Sequence, residues 1–240
     1  MTRAEEIVAN LSRVQERMDK ALIAAKRLSE STCLLAVSKT VPAEHIAVAL
    51  AAGQRDFAES YGQEFRDKQK VVAELAAARG LPEPRWHFIG PLQTNKVKYV
   101  AGKVVLVHTV GSQQVLAELE RRATALDVVQ DCLVQVNVAG EVQKSGIAPA
   151  DLPAMLDSFV TASHLRCIGL MVIPPYDEDP ELSRPHFAAL RRLRDEQRPV
   201  ARPNVVLAEL SMGMSHDMEV AIAEGATIVR VGTAIFGARA

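Results

Sequence analysis

Eight short apolar runs alternate with longer amphipathic stretches along the 240-residue chain, and this alternation limits the fold more than any single motif. The runs cover residues 32–39, 55–60, 85–90, 104–110, 131–137, 165–173, 205–212 and 227–236. Several are almost continuously apolar, as in Val104-Val105-Leu106-Val107, which is how parallel strands covered on both faces read. Helical patterns fill the gaps at 43–52, 63–79, 94–101, 112–126, 150–161, 181–197 and 215–224. A leading helix is predicted over residues 2–29, where Ile7, Leu11, Val14, Met18 and Leu22 recur at helical spacing and Thr2 and Glu5 have the spacing of a capping box. Alternating strands and helices build a parallel sheet, and eight such units predict a (β/α)8 TIM barrel with an extra N-terminal helix. An open doubly wound sheet is the rival, but no G-x-G-x-x-G follows the first strand. The chain reads as one domain over residues 1–240.

Charge then narrows the class of partner. There are 28 basic and 29 acidic residues, a net of −1, which gives no field to draw nucleic acid or an anionic membrane. Cys33, Cys132 and Cys167 are odd in number and far apart, which argues against a disulfide framework and for a reducing compartment. The polar start Met1-Thr2-Arg3-Ala4-Glu5-Glu6 does not read as a signal peptide, and no apolar run nears the roughly 20 residues of a membrane span. The expectation is a cytoplasmic protein. It is expected to be a monomer, because no long heptad or second apolar face is visible.

In barrels of this class the chemistry sits at the C-terminal ends of the strands. The first run ends in Lys39, which alternation places on one face with Leu35 and Val37. A lysine at an apolar mouth is partly desolvated, which raises its neutral amine fraction for attack on an aldehyde. A surface lysine closing a strand is the plainer alternative. The turn after strand seven carries Ser211, Gly213 and Ser215, entering a helix predicted to start near Ser215. The turn after strand eight carries Gly232 and Thr233. Phosphates in such barrels are often held by these two turns. Caps and tight turns explain either turn alone, but less readily both together. Within strand eight, Ile228, Arg230 and Gly232 share one face, so an inward Arg230 would bring a guanidinium to the mouth. His87, on the third strand, is a candidate ligand neighbour, although a core histidine is the safer reading; Gln93, Thr94 and Asn95 would cap the next helix. The six histidines show no H-E-x-x-H or other close ligand pairing, so no metal is expected; G-x-S-x-G is absent, and spacing alone supports no Ser–His–Asp triad.

A mouth lysine, a phosphate cradle across the barrel and a cationic donor between them match pyridoxal 5′-phosphate. The chain also resembles a family. The stretches LLAVSK (34–39), WHFIGPLQTNK (86–96), HT (108–109), KSGI (144–147), GLMVIPP (169–175), LSMGMS (210–215) with the following His216-Asp217-Met218-Glu219, and VRVGTAIFG (229–237) are similar to those of the pyridoxal-phosphate homeostasis proteins. That family has a single barrel like the N-terminal domain of alanine racemase, and the match runs from about residue 31 to the end.

The resemblance implies Lys39 as the Schiff-base lysine. It implies the phosphate on Ser211, Gly213, Gly232 and Thr233 with Ser215 nearby, and Arg230 at the pyridine nitrogen. It also implies apo-enzymes that depend on the cofactor as partners. Where the family usually shows F-G-E-N, this chain has Phe57-Ala58-Glu59-Ser60, so the shorter Ser60 stands near the cofactor. Arginine is donor-only, so at the ring nitrogen it disfavours transamination and decarboxylation. Racemases of the fold share that arginine but add a second domain with a catalytic tyrosine. Here four residues follow Phe236, and Tyr61, Tyr99 and Tyr176 are not placed to substitute. A non-enzymatic binding protein is therefore expected, with a single-domain racemase or a Schiff-base aldolase as the alternative.

Overall fold

A computed structural model describes residues 1–28, 32–141 and 145–238. The strands are β1 (Cys33–Val37), β2 (Asp56–Glu59), β3 (Arg85–Phe88), β4 (Leu106–Val110), β5 (Gln130–Gln135), β6 (Leu165–Met171), β7 (Val205–Met214) and β8 (Ile228–Val231). They pair in sequence order, all parallel, and β8 returns to β1 to close the barrel. The helices are α1 (Arg3–Ala24), α2 (Ala43–Ala51), α3 (Gly62–Ala78), α4 (Gln113–Leu126), α5 (Leu152–Val160), α6 (Arg184–Gln197), α7 (Met218–Ala223) and α8 (Thr233–Phe236). The expected (β/α)8 barrel with a leading helix is the fold observed. Closure pairs β8 with β1, so neither strand is left with an unpaired edge.

Four local features differ from the sequence reading. The third crossover is a 3-10 turn over Thr94–Tyr99, and the backbone N-cap residue Gln93 makes no side-chain capping bond. The run 227–236 breaks at Gly232 into β8 and the four-residue α8. The helix expected near Ser215 begins at Met218. Helix α1 ends at Ala24 rather than near 29; Ser29 lies outside the described residues, as does Lys144 of the KSGI stretch.

Two apolar layers follow strand alternation. The barrel interior holds Leu35, Ala58, Leu106, Leu133, Met171 and Ile228, one from each of six strands. The remaining two strands contribute polar groups at this depth. His87 of β3 pairs with Ala58 and Leu106, and Ser211 of β7 pairs with Met171 and Ile228. The outer layer lies between the strands and the helices. Because α8 has only four residues, it cannot cover the seam of β8 and β1 alone. Helix α1 packs on α2, α7 and α8 and buries Ile7, Leu11, Val14, Met18 and Leu22. Its Thr2–Glu5 capping box is formed as expected. The three cysteines are free, and burial pushes the thiols of Cys33 and Cys167 up to about 12.

Close backbone approach at the mouth demands a glycine. A Cβ on Gly90 would stand 1.9 Å from the Ser60 carbonyl oxygen, where neither backbone can yield cheaply. Gly90→Ala is expected to lower stability by about 1–3 kcal/mol, as overpacking does, read as a shift of the urea midpoint; a change within about 0.5 kcal/mol would show that β2 and β3 separate freely there.

Candidate functional site

The C-terminal mouth is shaped by the closure of β8 onto β1. Lys39 follows β1 directly and is half-buried. Cys33 and Val37 pack on the interior cluster that contains Leu35, so alternation carries Lys39 to the same side. Ladder pairing continues past the strand end, with Ser38 N–H donating to the Ala58 carbonyl at 2.9 Å. Leu35 pairs with Arg230, and a Cβ on Gly232 would lie 3.3 Å from the Val37 Cβ. The turn after β8 therefore stands beside Lys39, not across the barrel from it as the sequence picture had it.

An ionic clamp fixes the backbone on both sides of Lys39. Lys68 of α3 donates through Nζ to the Ser38 carbonyl at 2.7 Å, to Glu59 Oε1 at 2.7 Å and to Glu64 Oε1 at 2.6 Å. Glu59 Oε1 also accepts from Ser38 Oγ at 2.7 Å, and Glu64 Oε1 accepts from the N–H of Thr40 at 2.6 Å. Thr40 sits in the left-handed region at φ 62°, a conformation that costs a β-branched residue energy and persists only when its surroundings hold it. Burial lifts the Glu59 carboxyl above its ordinary value, while the Lys68 ammonium partly opposes the rise.

The two candidate phosphate turns converge. Ser215, after β7, and Thr233, after β8, bring their hydroxyl oxygens to 3.3 Å. Gly213 has φ +88°, and a Cβ there would be 2.4 Å from the Ala221 Cβ, so this turn requires glycine. Ser215 does not cap α7. Asp217 occupies the N-cap position, accepting through Oδ1 from the Met214 N–H at 2.6 Å and through Oδ2 from Ser183 Oγ at 3.0 Å. Helix α1 braces this turn from outside, as Arg17 donates to the Ser215 carbonyl at 3.2 Å and to both carboxylate oxygens of Glu219.

Arg230 does face inward and is buried. Its Nη1 donates to Ser211 Oγ at 2.7 Å and its Nη2 to the Val172 carbonyl at 2.8 Å. Both acceptors are neutral, and these two bonds use two of the five guanidinium donors. Burial pulls its pKa down to about 10, with the more distant Asp217 acting in the opposite sense. Ser211, expected on the phosphate, is fully buried inside the barrel, and its Oγ is already bonded to Arg230 and, at 2.9 Å, to His108 Nδ1. His87 likewise lies in the core beneath the mouth, between Asp56 and His108. Ser60 is half-buried at the end of β2, on the side of Ala58 by alternation.

Thus Lys39, Ser215, Gly232 and Thr233 line the rim, while Arg230 projects from below and Ser211 and His87 lie deeper. The sequence reading missed His108, Asp56 and the clamp of Glu59, Glu64 and Lys68. His108 carried a readable signal, because it shares parity with Leu106 in β4. Of the clamp, only the Glu64–Lys68 spacing, four apart on α3, was readable, since Glu59 and Ser38 come from other elements.

These features define a parallel barrel with an amine, a buried cation and paired hydroxyls at one mouth. Residues 5–240 match the family model described as alanine racemase, N-terminal domain. A pyridoxal phosphate homeostasis protein of Aquifex aeolicus is 47% identical over 230 residues, covering 95% of this chain and 96% of that one. Among solved structures, an unknown protein from Bifidobacterium adolescentis has a TM-score of 0.91 at 38% identity, covering 98% of this chain and 96% of its own. PipY of Synechococcus elongatus with PLP bound has a TM-score of 0.81 at 34% identity, covering 96% and 100%. The chain belongs to the alanine racemase N-terminal domain family and, within it, to the pyridoxal phosphate homeostasis proteins.

Removing Lys68 tests the clamp with a defined sign. A carboxyl whose folded pKa stands above its ordinary 4.5 holds its proton more tightly when folded, so its contribution to stability falls as pH rises above that value. Lys68→Met should widen this window. The expected loss is about 3 kcal/mol near pH 8, and it should be clearly smaller near pH 5, as measured by urea unfolding. Equal losses at both pH values would mean that Glu59 does not depend on Lys68.

Proposed function

We propose that this chain binds pyridoxal 5′-phosphate at the C-terminal mouth of its barrel, covalently through Lys39, and holds and releases the cofactor within the cell. The observation that carries the reading is the neighbourhood around the β8–β1 seam. There a half-buried lysine, a pair of hydroxyls at 3.3 Å and a buried guanidinium with unspent donors come together. The names of the relatives support it: the Aquifex aeolicus protein is called a pyridoxal phosphate homeostasis protein, and PipY was solved with PLP bound.

When bound, pyridoxal 5′-phosphate supplies an aldehyde that condenses with a primary amine and a phosphate that accepts hydrogen bonds. Lys39 provides the amine, and the clamp on Ser38 and Thr40 holds its backbone so that little order must be gained on binding. Ser215 and Thr233 turn their hydroxyl protons toward the phosphate, and Gly213 and Gly232 let the two turns close up. Arg230 offers a donor and no acceptor at the ring nitrogen, so it cannot hold a proton there. Ser60 leaves room at the rim where a longer amide would reach further. Ser211 and His87 act from beneath Arg230 rather than by contact with the cofactor.

Turnover is not expected, because none of the three tyrosines is hydrogen-bonded to Ser215, Thr233 or Arg230 among the described residues. Tyr61 and Tyr176 are exposed, and Tyr99 lies under Arg66, Lys96 and Lys98 on the flank. We place the protein in the cytoplasm as a monomer with one cofactor-binding domain over residues 1–240, passing cofactor to apo-enzymes that need it. None of the described helices is long and apolar enough to cross a membrane.

Incubation with pyridoxal 5′-phosphate followed by borohydride should leave a mass adduct on the Lys39 peptide, absent in Lys39→Ala; an adduct elsewhere in wild type would overturn the assignment. Ser215→Ala and Thr233→Ala should weaken binding of the phosphorylated vitamer about ten- to a hundredfold, as loss of a charge-assisted hydrogen bond does, and that of pyridoxal far less. Equal losses would remove the hydroxyl pair from the phosphate site. In deuterated water, the loaded protein should exchange the α-proton of L-amino acids slowly or not at all, and rapid exchange with loss of chirality would make it a racemase.

A further inference from the structure

A line of side-chain hydrogen bonds runs through the barrel interior from its N-terminal end to Arg230. Asp56 Oδ1 is 3.1 Å from His87 Nε2, His87 Nδ1 is 3.0 Å from His108 Nε2, and His108 Nδ1 is 2.9 Å from Ser211 Oγ. Ser211 Oγ then accepts from Arg230 Nη1 at 2.7 Å. The members come from β2, β3, β4, β7 and β8. The lower end opens on a cavity of about 460 Å³ lined by Asp56, Arg85, Glu209 and Thr227, at the opposite end of the barrel from Lys39.

The direction of this line is determined by its ends. A carboxylate only accepts, so a neutral His87 must present Nε2–H to Asp56 and leave Nδ1 as an acceptor. His108 must then donate from Nε2 and accept at Nδ1. The proton that His108 Nδ1 accepts is that of the Ser211 hydroxyl. Ser211 is left with lone pairs for Arg230, which can only donate. The opposite direction would set an unprotonated ring nitrogen against the Asp56 carboxylate. Burial, with the Arg230 guanidinium acting in the same sense, holds His108 well below its usual pKa, which agrees with a neutral ring at that position. Arg85 Nε lies 3.3 Å from the same Asp56 oxygen, at the solvent-facing end of the line.

We propose that Asp56, His87 and His108 are positioning residues for Arg230: a neutral, one-directional hydrogen-bonded chain that ends on the Asp56 carboxylate and, through Ser211, orients the guanidinium toward the mouth. The chain serves as a remote counterion. Each bond polarises the next, so Ser211 Oγ becomes a better acceptor than an isolated hydroxyl, although no carboxylate contacts Arg230 directly among the described residues. With Nη1 and Nη2 each tied to a fixed acceptor, the plane of the guanidinium is set before any ligand arrives. The functional consequence for cofactor affinity rests on the function proposed above, whereas the chain's direction does not.

The test separates the two. Long-range proton–nitrogen correlation spectra of histidine-labelled protein without cofactor should show His87 and His108 both neutral and both as the Nε2–H tautomer near pH 7. Asp56→Ala should remove the preference at both rings. A dominant Nδ1–H form at either histidine, or a doubly protonated His87, would overturn the proposed direction, as would unchanged tautomers in Asp56→Ala. In a second arm, His108→Phe keeps the core filled and deletes the link, and Asp56→Asn keeps its shape and deletes the charge. Both should weaken pyridoxal 5′-phosphate binding by about two- to tenfold, the range of one ordinary hydrogen bond, and shift the absorption maximum of the bound cofactor. Tautomers as expected with affinity and spectrum unchanged in both variants would refute the positioning role. Absence of cofactor binding by the wild type would instead refute the proposed function and leave the chain's direction standing.

Discussion

A buried arginine that no carboxylate contacts among the described residues governs the interior of this barrel. Removing a guanidinium from water costs several kcal/mol, and hydrogen bonds to a charged group return about 1.5–3 kcal/mol each. Arg230 receives one from Ser211 Oγ and one from the Val172 carbonyl. Those acceptors need supports of their own, so polar groups penetrate an interior that six of the eight strands fill with Leu35, Ala58, Leu106, Leu133, Met171 and Ile228. The polar positions His87, His108 and Ser211 are thus explained by one cation above them. Its bonds to Ser211 and Val172 use two of its five donors.

The rim itself is held from outside the barrel. Helix α3 supplies Lys68 and Glu64 to the segment around Lys39, and α1 supplies Arg17 to the turn at Ser215. The extra N-terminal helix therefore does two things with one face and one edge. It covers the seam that the four-residue α8 leaves, and it braces the turn at Ser215. Both rims meet because β8 pairs with β1, which makes the lysine and the hydroxyl pair neighbours.

Strand alternation made much of this legible. The period-two face of Ile228, Arg230 and Gly232 favoured an inward guanidinium slightly over an outward one, and the apolar runs counted the strands correctly. The same logic failed for Ser211. Its hydroxyl was assigned to the turn because LSMGMS looks like one continuous loop, but β7 extends to Met214 and keeps Ser211 within the barrel. His108 went unassigned because close spacing in sequence was the criterion for paired histidines. His87 and His108 are 21 residues apart, one strand repeat, and a barrel joins such residues across adjacent strands. The start of α7 was misplaced because Ser215 and Asp217 are both good caps, and only the tertiary bonds of Asp217 to Met214 and Ser183 decide between them. The Lys68 clamp joins three elements, and only its Glu64–Lys68 pair, four apart on α3, leaves a periodic trace.

The most direct measurement is a crystal structure of the chain grown with pyridoxal 5′-phosphate. The account predicts continuous density from Lys39 to the ligand, the ring nitrogen within hydrogen-bonding reach of Arg230, and the phosphate between Ser215 and Thr233. Density in the opposite cavity beside Asp56 and Glu209, or a ligand at the mouth with its ring nitrogen turned away from Arg230, would contradict it.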